Sequence, residues 1–437
     1  MKLRRIFATV SLYASASVTQ AGGFGFTENL NDAVNAALNN IPAIKSERSR
    51  LQGFEQEVVE SKSGKKPLVH VRGSLGYQHV GNESTRRVCD CSGYVTGDRH
   101  GFEFSVTQNV YDGDGNNNRI KASKSRVVGQ EARIKDVSEG IAVETVNAYV
   151  DVLRHRALVD LARENVAKGE ELTTIVSLQV EKGKAANVDN ALAESRLQAA
   201  RSDLETYLGD LKDAEVRYSK LTGHEPGDLE ELVVRNDPVF DDEQMAINDG
   251  VASHPAILAA TEAMNASDAE AAATKQTRVP RIDAEFIYRN ERNADGILGD
   301  DDDYKVSMVV SYDLYAGGRD LARSKRDQFI ADSARFDLDD SKLNVKEAIR
   351  RAFTAYTSAS KNLEHLTKQI EADDKILSAY TSQLQIGRRT PLDVFVVQDS
   401  LFQSRIKERD TYYQRLLTQH ELLSAMGQLN QALGLSI

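Results

Sequence analysis

Apolar residues along the chain follow two periods, and the places where one gives way to the other divide it. From Leu30 (Leu30, Val34, Ala37, Leu38) and again from Met245 (Met245, Ile247, Val251) they recur at helical spacing. Pro42 and Pro255 interrupt these stretches. Each pushes the residue before it, Ile41 or His254, toward extended geometry and is itself suited to open a new helix. Those second helices end near Gly64 and Thr277. The period then becomes two. Val69, Val71, Leu75 and Tyr77 alternate with His70, Arg72, Ser74 and Gln78, and Phe102, Phe104, Val106 and Val110 with Glu103, Ser105, Thr107 and Asn109. Ile282, Ala284, Phe286 and Tyr288 alternate with Arg281, Asp283, Glu285 and Arg289, and Tyr304, Val306, Met308, Val310 and Tyr312 with Lys305, Ser307, Ser311 and Asp313. Four strands are expected, at about 68–80, 99–111, 281–290 and 303–315.

After Asp112-Gly113 and Ala316-Gly317-Gly318 the helical period resumes and runs to about Gln179 and Gln383. Roughly 65 residues of helix make a rod of ~100 Å, far longer than an ordinary globular helix. In the second rod Leu363, Leu366, Ile370, Leu377, Tyr380 and Leu384 repeat about every 3.5 residues. A return helix carries Leu392, Phe395, Phe402, Ile406, Tyr413, Leu416 and Leu423. Stripes of this period wind into left-handed hairpins. Asp373, Asp399 and Arg409 interrupt the seam, so the coil is imperfect or faces a polar space.

The elements come twice because the sequence does. Pro42-Ala43-Ile44 matches Pro255-Ala256-Ile257, and Pro67 matches Pro280, both at a spacing of 213. Beyond the strands the spacing is 204 without a gap: Tyr111 and Tyr315, Gly113 and Gly317, Gly183 and Gly387, Asp189 and Asp393, Leu197 and Leu401, Gly223 and Gly427. The difference falls between Pro67 and Tyr111. We read an internal two-fold repeat, residues 22–229 and 230–437, each with two strands and a long helix hairpin at about 113–223 or 318–430.

The strands change the class of protein. A half-buried sheet with one wet face is the ordinary reading of alternation. Here the polar face is charged and the apolar face rich in aromatics, on strands of about 10 residues, which is the pattern of transmembrane barrel staves. Four strands cannot close a barrel, and open edges are not tolerated in lipid. Spanning strands therefore require more than one chain, and three chains supply twelve strands.

Composition agrees with a long, thin, helical body: no Trp, 7 Pro, 41% hydrophobic and 28% charged residues among 437. A net charge of -11 speaks against a nucleic-acid partner. Residues 1–21 read as a secretory signal, with Lys2, Arg4 and Arg5 before an apolar stretch and Thr19-Gln20-Ala21 at the cleavage site; the alternative is a disordered or buried N-terminal helix. No later segment has the ~20 apolar residues of a spanning helix, and the first cysteine, Cys89, is too late to carry a lipid anchor. Cys89-Asp90-Cys91 lies in the longer first loop, near His79 and His100. A strained or intermolecular disulfide, free thiols and, least favoured by spacing, a metal site remain open there. Asp300 to Asp303 reads as a solvated acidic turn, with incidental calcium as the alternative. No nucleophile elbow, phosphate loop or His-Glu-x-x-His motif occurs, so no enzyme, metal or cofactor is expected.

Gly387-Arg388-Arg389-Thr390-Pro391-Leu392-Asp393-Val394, continued by Leu422-Leu423-Ser424-Ala425-Met426-Gly427-Gln428-Leu429, resembles the TolC-like outer-membrane export channels. The two Pro-containing N-terminal helices and the repeat do so as well. The resemblance implies an α+β membrane protein: a homotrimer with a twelve-stranded β-barrel, four strands per chain, continued by a coiled-coil tunnel across the periplasm. It implies a periplasmic adaptor that docks at the hairpin turns, placing Gly183, Lys184, Gly387 and Arg388 at that contact. It also implies an acidic ring at the entrance, to which Asp393 corresponds; the position three further on is Val396, which puts a second ring in doubt. Arg389 corresponds to a residue that helps hold the entrance closed, with Asp189 or Asn190 as candidate partners. Energy would come from an inner-membrane ABC transporter or proton-driven pump. The absent anchor cysteine leans toward type I secretion of a large protein such as an adhesin or toxin. A drug or metal efflux duct is the alternative, and a periplasmic coiled-coil adaptor or scaffold the alternative from another class.

Overall fold

The computed structural model of the chain describes residues 27–89, 93–234 and 241–435. The proposed signal segment 1–21, Cys91 and the side chain of Cys89 lie outside the described residues. Helix α1 (Leu30–Asn40) is capped by Asn29 and ends where Ile41 turns extended before Pro42, which opens α2 (Pro42–Ser63). Strand β1 (Leu68–Val80), the short α3 (Glu83–Cys89) and β2 (Val95–Tyr111) follow, then α4 (Gly115–Glu181) and α5 (Asn187–Thr222). The second half runs α6 (Glu243–Ser253), α7 (Pro255–Lys275), β3 (Arg281–Arg292), β4 (Asp300–Ser311), α8 (Arg319–Gln385), α9 (Pro391–Ala425) and the one-turn α10 (Leu429–Ala432). Both α4 and α8 have 67 residues, which is ~100 Å of rod. Among the described residues no helix is long and apolar enough to cross a membrane.

The strands form one antiparallel meander in the order β1-β2-β3-β4. The register sorts the side chains by face. Val71, Phe104, Tyr288 and Tyr304 line up across the four strands, and so do Val69, Val106, Phe286 and Val306. Edge contacts between Phe104 and Phe286 (6.3 Å) and a close Tyr288–Tyr304 pair (4.7 Å) knit this apolar face. One residue along, Arg72, Glu103, Arg289 and Asp303 form a row of alternating charge, with Arg289 3.0 Å from Glu103. Leu75, Tyr77, Tyr304 and Val306 are 71–83% exposed. A sheet with such a face is not the surface of a protein in water.

Two sequence expectations are corrected in detail. The acidic run Asp300–Asp303 is not a free turn but the first part of β4, paired with Arg292 back to Arg289. Asn290 donates to Asp302 at 2.7 Å, so cross-strand partners absorb the charge. Conversely β4 ends at Ser311, leaving Tyr312 to Tyr315 outside the ladder.

The main core is a band around the middle of the helical body, where Tyr149, Tyr218, Ile349, Leu416, Leu422 and Met426 are fully buried. The Tyr149 hydroxyl lies 2.9 Å from the Glu28 carbonyl and 2.8 Å from that of Glu230, and gives its hydrogen to this pair of strand-like segments. Buried Glu139 accepts the backbone N–H groups of Leu429 and Asn430, both at 3.0 Å, and so ties α10 to α4. Burial pushes its carboxyl up to about 7 against the pull of those two N–H groups.

Candidate functional site at the helix-hairpin tips

The hairpins α4–α5 and α8–α9 end far from the sheet, in two short turns. In the first, the N–H of Gly183 donates to Val180 and that of Lys184 to Gln179, at 2.9 and 2.8 Å. In the second, Gly387 donates to Leu384 and Arg388 to Gln383, at 3.0 and 2.9 Å. Both glycines sit at positive φ, +69° and +73°, the left-handed position that ends a helix with least strain when no Cβ is present. A Cβ at either would meet nothing within 4 Å. Backbone conformation therefore requires glycine there, and the space around it is open to a partner.

Past the glycine the two turns diverge. Asp189 accepts the N–H of Ala186 at 2.9 Å, and Ala186 has no side-chain acceptor to return the bond. In the second tip Thr390 and Asp393 cap reciprocally. The Asp393 carboxylate accepts from the Thr390 hydroxyl (2.9 Å) and N–H (3.2 Å), while the Thr390 hydroxyl accepts from the Asp393 N–H (3.3 Å). Pro391 opens α9 and is buried. The Thr390 hydroxyl, then its backbone N–H, and then nearby Arg389 hold the Asp393 carboxyl below the usual carboxylate range. The Arg389 guanidinium covers the Tyr380 ring at 4.2 Å from its centroid, donates to Gln383 at 3.1 Å and lies 3.9 Å from Asp393. Within the chain it is thus held by its own hairpin, and Asp189 and Asn190 are not among its contacts.

The two tips touch. Gln179 donates to the Leu384 carbonyl at 3.0 Å, and Leu172, Val176, Ala193, Leu384, Val394 and Phe395 form a small core just behind the turns. Beyond that core the surface is apolar and uncovered: Val188 is 71% exposed, Ile386 66%, Val396 54% and Leu392 48%. The sequence places Tyr380 and Leu392 in the helix seam and Val396 where a second acid is missing, but shows neither the exposed rim nor the seat of Arg389 on Tyr380. An isoleucine inside a Gly-containing turn was the available signal. Among the described residues no cluster of His, Cys, Asp and Glu has the makings of a metal site. His79 stacks on Tyr94 and His100 pairs with Asp98.

Residues 33–224 and 246–428 match the family described as outer membrane efflux protein. The chain is 24% identical over 419 residues to the outer membrane efflux protein BepC of Brucella suis, covering 95% of this chain and 89% of that protein. It is 20% identical over 327 residues to the alkaline protease secretion protein AprF of Pseudomonas aeruginosa, covering 72% and 67%. The solved structure of CusC superposes with a TM-score of 0.78 at 16% identity, covering 94% of this chain and 95% of that one. The adaptor or scaffold reading is thereby set aside, since the matched family is that of the outer-membrane component itself. The chain belongs to the outer membrane efflux protein family and is an outer-membrane channel of the TolC kind, serving efflux or secretion, with its helical body on the periplasmic side.

Proposed function

We propose that three copies of this chain close into a passive duct whose periplasmic end is gated by the hairpin tips. The observation that carries the reading is the four-stranded sheet, which presents an aromatic apolar face and ends in two strands, β1 and β4, each paired on one edge only among the described residues. Such edges are costly in lipid and are satisfied when β4 of one copy pairs with β1 of the next. The matching element order of the two halves, and the family match that falls in two segments, support the duplication read from sequence. The reading is tested by electrophoresis of outer-membrane fractions without boiling. A heat-sensitive band at three times the chain mass is expected, and only monomer would overturn it.

At the tips, Asp393 is the residue of the acidic entrance ring and Arg389 the latch that holds the hairpin closed, with Asp189 in a lesser role. Gly183, Lys184, Gly387 and Arg388, with the apolar rim beside them, receive a periplasmic adaptor, and an inner-membrane transporter supplies the energy. The duct performs no bond chemistry. For cargo we favour a protein exported by type I secretion, a reading supported by the likeness to a protease secretion protein. The likeness to an efflux protein over nearly the whole chain favours a second reading, drug or metal efflux. Deleting the gene separates them. Loss of a protein from the medium with unchanged drug and metal tolerance supports the first, and the reverse supports the second.

A further inference from the structure

One buried carboxyl takes no part in the tips or the sheet. Glu139 of α4 is 5% exposed, and among the described residues no cation pairs with it. Its Oε2 accepts the N–H of Leu429 and its Oε1 that of Asn430, each at 3.0 Å. Helix α4 belongs to the first half of the chain and α10 to the second, so this side chain fastens one half to the other. The fastening stands about three turns of helix before Tyr149.

The polar groups around it are short of one hydrogen. Ser138 gives its hydroxyl hydrogen to the Lys135 carbonyl at 2.7 Å. Its Oγ can then only accept, and it does so from the Asn430 side-chain nitrogen at 3.2 Å. That contact turns the amide nitrogen toward Ser138 and leaves Asn430 Oδ1 buried with no donor. The same side chain reaches the Glu139 carboxyl. An idle buried acceptor thus shares a pocket with an acid that, when ionised, has no hydrogen to give. A proton on Glu139 removes the charge that burial penalises and supplies the cluster with a donor.

The neighbouring elements bring no compensating charge. On α4, Asp136 adds a repelling carboxylate one turn earlier and lies 3.0 Å from Arg133. The stretch from Met426 to Asn430 has no titratable side chain. On α9, Glu421 responds to burial alone. The α6–α7 joint presses on Gly427, where a Cβ would lie 2.5 Å from Pro255 and 3.3 Å from the His254 backbone. Burial favours the neutral form of His254, against the pull of Asp136. Burial therefore dominates at Glu139 and sets its carboxyl at about 7. The rod itself does not demand an acid there, since the matching position 204 residues on is Leu343.

We propose that Glu139 is a proton-operated fastener: neutral in a mildly acid medium, it holds α10 firmly on α4, and ionised in an alkaline one, it lets that hold slacken. Docked α10 keeps the carboxyl out of water and so raises its affinity for a proton. When α10 lifts away, the carboxyl returns toward its ordinary value of 4.5. The docked state consequently binds the extra proton between those two values, and docking loses this advantage as pH rises through about 7. The fastener acts between the halves of one chain, away from the tips, and does not depend on how many copies assemble.

The test is hydrogen exchange, read by mass spectrometry on the purified channel in detergent, for peptides covering residues 426–435. Corrected for the intrinsic exchange rate, their protection is expected to be about tenfold higher at pH 6 than at pH 8. In Glu139→Gln, whose amide is neutral throughout, protection is expected to be equal at the two. Equal protection in the native channel, or a response that survives Glu139→Gln, overturns the proposal. Infrared difference spectra between the same two pH values read the acid directly and need no variant. The C=O band of a neutral, buried carboxyl is expected to grow toward pH 6 in the native channel and not in Glu139→Gln. A native spectrum without that growth overturns the proposal even where the variant does not fold.

Discussion

At the first hairpin tip Gly183 and Lys184 close the turn with two backbone hydrogen bonds, and Asp189 adds a single bond to Ala186. At the second, the same backbone plan is overlaid by a threonine–aspartate clasp, a buried proline and an arginine laid over a tyrosine. A common fold unit has thus been given two stiffnesses. The fastenings of the second tip are polar, exposed and individually small, so they hold a shape without making it permanent. That suits the gate proposed for α8–α9 and a more passive part for α4–α5.

The comparison is broken most directly at the glycines. Gly387→Glu forces a Cβ into left-handed backbone, at a cost of roughly 1–2 kcal/mol, and sets a charge on the proposed docking surface. Export is expected to fall to background while trimer remains, as read by cargo in the medium and unboiled gels. Gly183→Glu is expected to leave measurable export, because the first turn carries no threonine–aspartate clasp or arginine–tyrosine contact to be disturbed. Equal loss at both would remove the distinction between the tips.

Charge comes next. Asp393→Asn is expected to lower cation selectivity, measured as the reversal potential of single channels in a salt gradient, whereas Asp189→Asn shifts it little. A larger effect at Asp189 would exchange the roles of the two tips. Releasing the latch is a smaller change. Thr390→Ala removes a cap worth about 1 kcal/mol, and Arg389→Ala an exposed cation–π contact worth ~0.5–1 kcal/mol. Each is expected to raise single-channel conductance, and the two together more than either; unchanged conductance in the double variant would remove the latch.

The smallest effect is that of pH. Because the folded-state pKa of Asp393 is depressed, its contribution to the clasp is present above the ordinary carboxylate value and is lost only as pH falls through the depressed one. Conductance is therefore expected to hold steady from neutral pH to about 4 and to rise only below that. A rise beginning near pH 6 would point to another group.

Much of the fold was legible because long elements write their period many times over. The alternation of Val69, Val71, Leu75 and Tyr77 marked a strand that the register then placed beside Phe104 and Val106. Ends were less legible. Asp300 to Asp303 carry no apolar period, and only pairing with β3 makes them strand. At the tip, the glycines and the Thr390–Asp393 spacing could be read as turn and cap, since both are local rules. The seat of Arg389 on Tyr380 could not, because it depends on how the turn folds back on α8. Glu139 escaped notice for a like reason: its partners stand some 290 residues later, at Leu429 and Asn430.

The length of α4 has a mechanical consequence. The Tyr149 hydroxyl pins the rod to the segments at Glu28 and Glu230, and from there α4 continues to Glu181, an arm of ~48 Å at 1.5 Å per residue. A tilt of about 5° at that fulcrum carries the tip roughly 4 Å sideways on such an arm, more than the reach of any single hydrogen bond holding it. Leverage from mid-body, applied through helices that need not bend, is enough to part the two tips where Gln179 meets the Leu384 carbonyl.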